Sequence, residues 1–379
     1  MGGRLVLLLA LAALARAADP IAAAWDHFYN LEYAGAIQAF ERAVGEAPDH
    51  PAPYNYLAQA ILYSELYRLG ALESELLTGN NYFIRTATLR PDPEQTARFT
   101  RAVEQAQRLA QARLAANPND QEALYALGSS FALRTNHHFM VQKAWRAAVS
   151  DISSARRLHN QVVQLNPNHY DAMLTQSVYD YAMGSLPWHA RLLSFLIGRS
   201  GDKSRGLQTI ELVAQKGDRN RTDAQVMLAI IYRRERWPEK AVGVLEPLIR
   251  AYPRNYLFRM EKAAMLSDLG RKDESLAVLR DLERGSTAPP EKISYAIGNL
   301  QFWYNDLDQA LENMRQVTRS AGLDLHTGVL AWMRTGQILD LQGRRPEAQQ
   351  AYREAVRFAP QTAAAEESRR YLSSPYRRR

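Results

Sequence analysis

The stretch VLAWMRTGQILDLQGRRPEAQQAYREAVRFAP, residues 329–360, sets the reading of the whole chain through the spacing of its large, small and breaking residues. Trp332, Gly336, Leu339, Gly343, Ala348, Tyr352, Ala355 and Pro360 divide it into two short helices joined by a turn. Two such helices lie antiparallel only where small residues, here Gly336 and Ala348, let their backbones approach. Tyr352 is placed to fill the space between this unit and its neighbour. Pro360 has no amide hydrogen to donate and its ring clashes with the preceding turn, so it stops the second helix and opens the next unit.

This spacing resembles that of the tetratricopeptide repeats, helix–turn–helix units about 34 residues long. The same offsets recur upstream. Residues 222–255 supply Leu228, Ala229, Tyr232, Ala241, Leu245, Leu248 and Pro253, and residues 256–288 supply Ala263, Leu266, Gly270, Ser275, Leu279 and Leu282 before a Pro289-Pro290 loop. A unit from 291 holds Gly298, Ala310, Met314 and Val317, with a short insertion from Gly322 to Leu325, while Tyr33, Ala36, Phe40, Ala43 and Pro48 mark a first unit. The resemblance implies an all-α fold, a tetratricopeptide-type α-solenoid in which helix pairs stack into a right-handed superhelix. It implies about eight irregular units over residues 19–372, clearest over 222–360, closed by a capping helix from Ala363 to Leu372. A solenoid grows by stacking, so one continuous array is expected in place of two or three domains. The basic tail, residues 373–379, is expected to be disordered.

The middle is less regular. Leu127, Gly128 and Phe131 open a unit, yet its closing Asn166-Pro167 arrives about 15 residues late, which requires longer helices or an inserted loop. The second unit carries a polar, aromatic insertion from Thr78 to Phe83. Residues 182–217 contain Gly184-Ser185-Leu186-Pro187, an apolar run to Ile197, and Gly201-Asp202-Lys203-Ser204-Arg205-Gly206-Leu207. This segment is similar to one in the eukaryotic outer-membrane tetratricopeptide family linked to inclusion-body clearance, which implies shared architecture. Trp188, Leu192, Leu193, Phe195, Leu196 and Ile197 make the segment 187–198 nearly all apolar, a composition suited to a core or to a membrane surface.

Residues 1–18 read as a signal peptide, with Arg4 before the apolar run Leu5 to Leu14 and Ala15-Arg16-Ala17 as a small-x-small cleavage pattern. The mature protein is then exported, periplasmic or secreted, and the Ala- and Arg-rich composition suggests a bacterial source. The chain has no cysteine, so neither disulfides nor a lipidated cysteine enter its chemistry. Its formal net charge of +7 is dispersed among acidic neighbours rather than gathered into a stripe, so nucleic acid is not the expected partner.

Catalytic signatures are missing from the sequence. His137-His138 is the one adjacent histidine pair, with His159 and His169 further on, but no His-Glu-x-x-His occurs and no metal is expected. Gly198-Arg199-Ser200-Gly201 is not a nucleophile elbow, and no phosphate-binding Gly-rich loop is present. Neither an enzyme nor a cofactor is therefore expected.

The resemblance further implies that the first helix of each unit lines a concave groove at a fixed set of positions. Those positions hold Asn55, Gln59 and Tyr63 in the second unit, Tyr125 and Ser129 in the third, and Arg233 in the fifth. The seventh contributes Tyr295, Asn299, Phe302 and Trp303, and the eighth Met333 and Gln337. Aromatics and amides together suit an extended or helical peptide, through apolar contact and hydrogen bonds to its main chain. Asn299 matches the asparagine of the carboxylate clamp seen in chaperone-binding members, but Tyr295 stands where the clamp has lysine, so capture of a terminal carboxylate is not expected. The function expected is a non-catalytic exported scaffold that binds a protein or peptide, and the alternative is a peripheral membrane protein docking through 187–198.

Overall fold

The computed structural model describes residues 20–72, 91–187 and 200–378. Among these residues the chain forms seventeen α-helices and no strand. In order they are α1 Pro20–Tyr29, α2 Tyr33–Glu46, α3 Pro51–Arg68, α4 Pro93–Ala116, α5 Gln121–Asn136, α6 Trp145–Leu165, α7 Tyr170–Gly184, α8 Lys203–Lys216 and α9 Arg221–Arg234. Then come α10 Pro238–Ala251, α11 Tyr256–Asp268, α12 Lys272–Gly285, α13 Pro290–Trp303, α14 Leu307–Arg319, α15 Leu325–Leu341, α16 Arg345–Phe358 and α17 Ala363–Ser373. They fall into eight consecutive pairs with α17 as the closing helix. The signal peptide, the 78–83 insertion and residues 188–198 of the apolar segment lie outside the described residues, of which no helix is long and apolar enough to cross a membrane.

The expected single array divides into two compact units, one of residues 1–68 and 89–224 and one of residues 69–88 and 225–379. Local chemistry starts the helices in both. Asp92, Asp120, Asp202, Asn255 and Asp324 each accept a backbone N–H of the first turn they precede, and Pro93, Pro238, Pro290 and Pro346 sit in first turns where no amide donor is needed.

In five of the pairs the turn follows one rule. A single residue takes the left-handed conformation: Leu31 before α2, Arg236 before α10, Gly270 before α12, Asn305 before α14 and Gly343 before α16. The third pair departs from it. There α5 runs on into a π-helical segment, His137–Gln142, that ends at left-handed Lys143, and α6 is 21 residues long. The late Asn166-Pro167 is thus accounted for by longer helices.

Within a pair, the small positions make room for rings. A methyl group added at Gly336 would lie 2.4 Å from the Tyr352 ring, and Ala348 beside them is fully buried. Tyr352 therefore packs on the first helix of its own pair and donates to Asp340 at 2.9 Å, while its ring also meets Tyr371 of α17. The glycines of the 182–217 segment instead let backbones approach. Gly206 of α8 presses on α7, where an added methyl would fall 2.5 Å from Tyr181 N and 2.7 Å from Ser177 O, and Asp202 caps α8.

One expectation about the end of the chain is corrected. Residues 374–378 are not a frayed tail but lie against α13 and α15–α17, because Tyr376 finds two aromatic neighbours and its amide finds a carboxylate.

Left-handed backbone costs a residue with a side chain about 1–2 kcal/mol, a cost that glycine escapes. Arg236→Gly is expected to raise the stability of the second unit by about 0.5–1 kcal/mol, and Gly343→Ala to lower it by at least as much. Urea denaturation of the two variants checks both, and a destabilised Arg236→Gly would contradict the turn rule.

Candidate functional site

In the second unit, Tyr295, Asn299 and Trp303 recur at four-residue spacing and share one face of α13. The opposite side of that helix, with Ile293, Ile297 and Leu300, is buried, and Phe302 next to Trp303 is buried as well. Trp303 is 56% exposed, a large apolar surface left open on a helix otherwise embedded. From α15, Arg334 sets its guanidinium 4.1 Å from the Phe302 ring centre and 5.1 Å from that of Trp303, a cation–π contact that holds both rings. Gln337, buried one turn on, accepts from Arg334 Nη1 at 2.8 Å. It positions the arginine instead of facing outward, and Met333 beside it belongs to the core.

Two polar atoms at this face are buried with no hydrogen-bond partner: the side-chain oxygen of Asn299 and Nε of Arg334. An unpaired buried polar group costs about 1–3 kcal/mol, so this face is left under-satisfied beside the open indole. Arg233 is different. It donates to Glu261 at 2.5 Å, with only 16% and 12% of the two side chains exposed, so its charge is neutralised within the protein.

In the first unit the expected inward residues are drawn into the interior. Asn55 donates to Ala126 O at 2.8 Å and accepts from Ser130 at 2.7 Å, which ties α3 to α5 and leaves its amide fully engaged. Tyr125 stacks on His159, with ring centres 5.0 Å apart, and burial pushes its hydroxyl pKa up. Gln59 and Tyr63 converge on Asp223, which accepts from Gln59 and from Tyr29 of α1, the latter at 3.0 Å across 194 residues of sequence. Burial raises the Asp223 carboxyl to about 6, against the two donors that lower it, and the same burial with the Asp223 charge raises Tyr63.

The histidines are distributed among separate roles. His137 stacks on Phe99 and is pushed down to about 4 by burial, while His138 pairs with Asp151 at 3.3 Å. His159 bonds Thr175 and Tyr125 O and is also lowered to about 4 by burial, and His169 caps α7. Among the described residues, no group of three or more histidines and carboxylates is placed to hold a metal ion.

Three residues of this arrangement escaped the sequence reading. Asp171 receives the backbone N–H groups of Asp218, Arg219 and Asn220 at 2.9–3.1 Å and so moulds the loop before α9. Tyr29 precedes the recognisable part of the first unit. Asp223 is the second residue of the 222–255 unit, one of the inward positions, so the repeat register itself could have found it.

Because the folded Asp223 carboxyl sits above its ordinary 3.8, the folded state binds the proton more tightly than the unfolded one. The stability this confers is fully present below pH 4 and is lost as pH rises through about 6. Asp223→Asn, which keeps an acceptor and removes the charge, is expected to exceed wild type by about 1–3 kcal/mol at pH 7.5, and this advantage should vanish toward pH 4. Urea unfolding across that range measures it. A difference that does not change with pH would exclude Asp223 as the titrating group.

Residues 226–289 and 295–363, all in the second unit, match the family described as tetratricopeptide repeat. No curated protein matches the chain. Solved structures similar to it include a tetratricopeptide repeat protein from Parabacteroides merdae ATCC 43184, at 12% identity over 83% of this chain and 97% of that one, with a TM-score of 0.34. A human IFIT1 dimer with PPP-AAAA is 13% identical over 93% of this chain and 84% of that one, with a TM-score of 0.45. Yeast Tom70 is 12% identical over 90% and 85%, with a TM-score of 0.40. Repeats of this family generally mediate contacts between proteins. With helix pairs, a recurrent left-handed turn and the matched register over residues 226–289 and 295–363, the second unit of the chain carries tetratricopeptide repeats.

Proposed function

We propose that this protein is a non-catalytic scaffold, exported from the cell that makes it, and that it holds a protein partner on the face shared by α13 and α15. One observation carries the binding half: Trp303 stands 56% exposed beside the buried, unpaired side-chain oxygen of Asn299. A partner segment that covers the indole gains apolar burial, and a small shift of the α13 face that brings the Asn299 oxygen to a partner main-chain N–H would remove an unmet acceptor. Arg334 holds the indole in place through its guanidinium, whose Nε is enclosed without a hydrogen-bond partner. Export is supported by the leader pattern of residues 1–18.

Binding energy concentrates in a few aromatic anchors, so Trp303→Ala is expected to weaken recovery of envelope partners by about tenfold or more, with Asn299→Ala adding to the loss. Helix content should stay at the wild-type level because the indole is exposed. Equal recovery by wild type and both variants would remove this face from consideration. For export, N-terminal sequencing of the mature protein should begin at Ala18 or Asp19, and intact Met1 in a cytosolic fraction would refute it.

A further inference from the structure

The docked segment 375–378 has the contacts of a bound peptide rather than those of a helix extension. Helix α17 ends at Ser373. Beyond it, the Tyr376 amide donates to Asp340 at 2.8 Å, and the Tyr376 ring lies 6.0 Å from Phe302 and 5.4 Å from Tyr371, centre to centre. Arg378 donates to the Asn305 side chain at 2.9 Å and to the carbonyl of Phe302, with its guanidinium 4.9 Å from the Phe302 ring centre. Pro375, Arg377 and Arg378 are exposed, and Tyr376 is half-buried. One main-chain hydrogen bond, one aromatic in a pocket and one arginine on a ring and a helix-end carbonyl are the elements by which extended peptides are held.

The receiving surface is built without the tail. Asp340, whose side chain is 1% exposed, is fixed by Arg345 at 3.0 and 3.1 Å and by the Tyr352 hydroxyl at 2.9 Å. Phe302 is fully buried in a core cluster and clamped by Arg334. Asn305 is held in the left-handed turn between α13 and α14. These supports persist when Tyr376 leaves, so the pocket stays formed.

We propose that residues 375–378 are a tethered ligand occupying a peptide site made by Phe302, Asn305, Asp340 and Tyr371. The same site takes in trans an extended protein segment with an aromatic residue two positions before an arginine. A ligand tethered by so short a link acts at an effective concentration on the order of millimolar, so the tail competes with any partner of that chemistry and sets the threshold for its entry. This inference does not depend on Trp303 being a partner surface.

The test keeps the full chain and opens the site with the pair Tyr376→Ala and Arg378→Ala. The probe is a labelled peptide Ser-Ser-Pro-Tyr-Arg-Arg-Arg, the sequence of residues 373–379, followed by fluorescence anisotropy. The peptide is expected to bind the double variant at least tenfold more tightly than wild type, while a scrambled peptide of equal charge and one with alanine for tyrosine do not. Equal affinity for both proteins, equal binding of the scrambled peptide, or no binding to a double variant of unchanged circular dichroism would overturn the proposal. Hydrogen exchange on wild type decides it independently. The Tyr376 amide should be protected, and exchange at the rate of a free peptide would overturn the tethered state. Neither result alters the outcome of the Trp303 experiment.

Discussion

Two antiparallel helices can stack closely only if, where a large side chain of one meets the other, the other presents almost nothing. In this protein the meeting is a ring against a missing Cβ: Tyr352 over Gly336, Phe358 over Gly328, and His159 over Gly128. Tyr352 and His159 are buried and each adds a hydrogen bond back to the helix it covers, Tyr352 to Asp340 and His159 to Tyr125 O, whereas Phe358 contributes apolar contact alone. The pairing distance, the turn that closes each pair and the register of the next pair all depend on that fit. The later features, from the Arg334 clamp to the docked tail, are built on helices that it has already placed.

What was legible in the sequence is what repeats. Gly336, Ala348 and Tyr352 announce a helix pair because their roles are local, and Gly270 and Gly343 mark the left-handed turn because glycine adopts it without strain. Leu31, Arg236 and Asn305 occupy that turn with no such signal, since the surrounding pair imposes the conformation on whatever residue stands there. Contacts between distant residues were not legible. Nothing at Tyr29 indicates a bond to Asp223, nor does anything at Asn55 show that both ends of its amide are met by α5. The tail misled for the same reason: three arginines in a row suggest solvent, and only the assembled ends of α13 and α15 offer partners to Tyr376 and Arg378.

A contrast within the polar residues separates structure from surface. Asn55, Asp171 and the side chain of Asp340 are buried with internal partners: Asn55 accepts from Ser130 and donates to Ala126 O, while Asp171 and Asp340 each accept from several internal donors. Such groups specify which helices meet. The face of α13 is unlike them, since the oxygen of Asn299 and Nε of Arg334 are enclosed without partners beside an open indole. Inward repeat positions therefore divide into two kinds that composition alone does not distinguish, and hydrogen-bond completeness is the property that does.

The π-helical segment His137–Gln142 gives the third pair a fixed phase. Each residue of an α-helix turns the chain by about 100°, whereas a π turn takes in one residue more per hydrogen-bonded ring. Removing a single residue there would restore ordinary helical bonding and at the same time rotate the end of that helix by roughly a quarter turn or more, so that α6 would leave the turn at Lys143 in a different direction. Asp151, now paired with Arg134 and His138, would then point away from both. Length in this part of the chain is consequently an angular quantity: a loop such as that at Gly322 can gain or lose residues without turning a helix face, but residues 137–142 can change in number only together with a compensating change in α6.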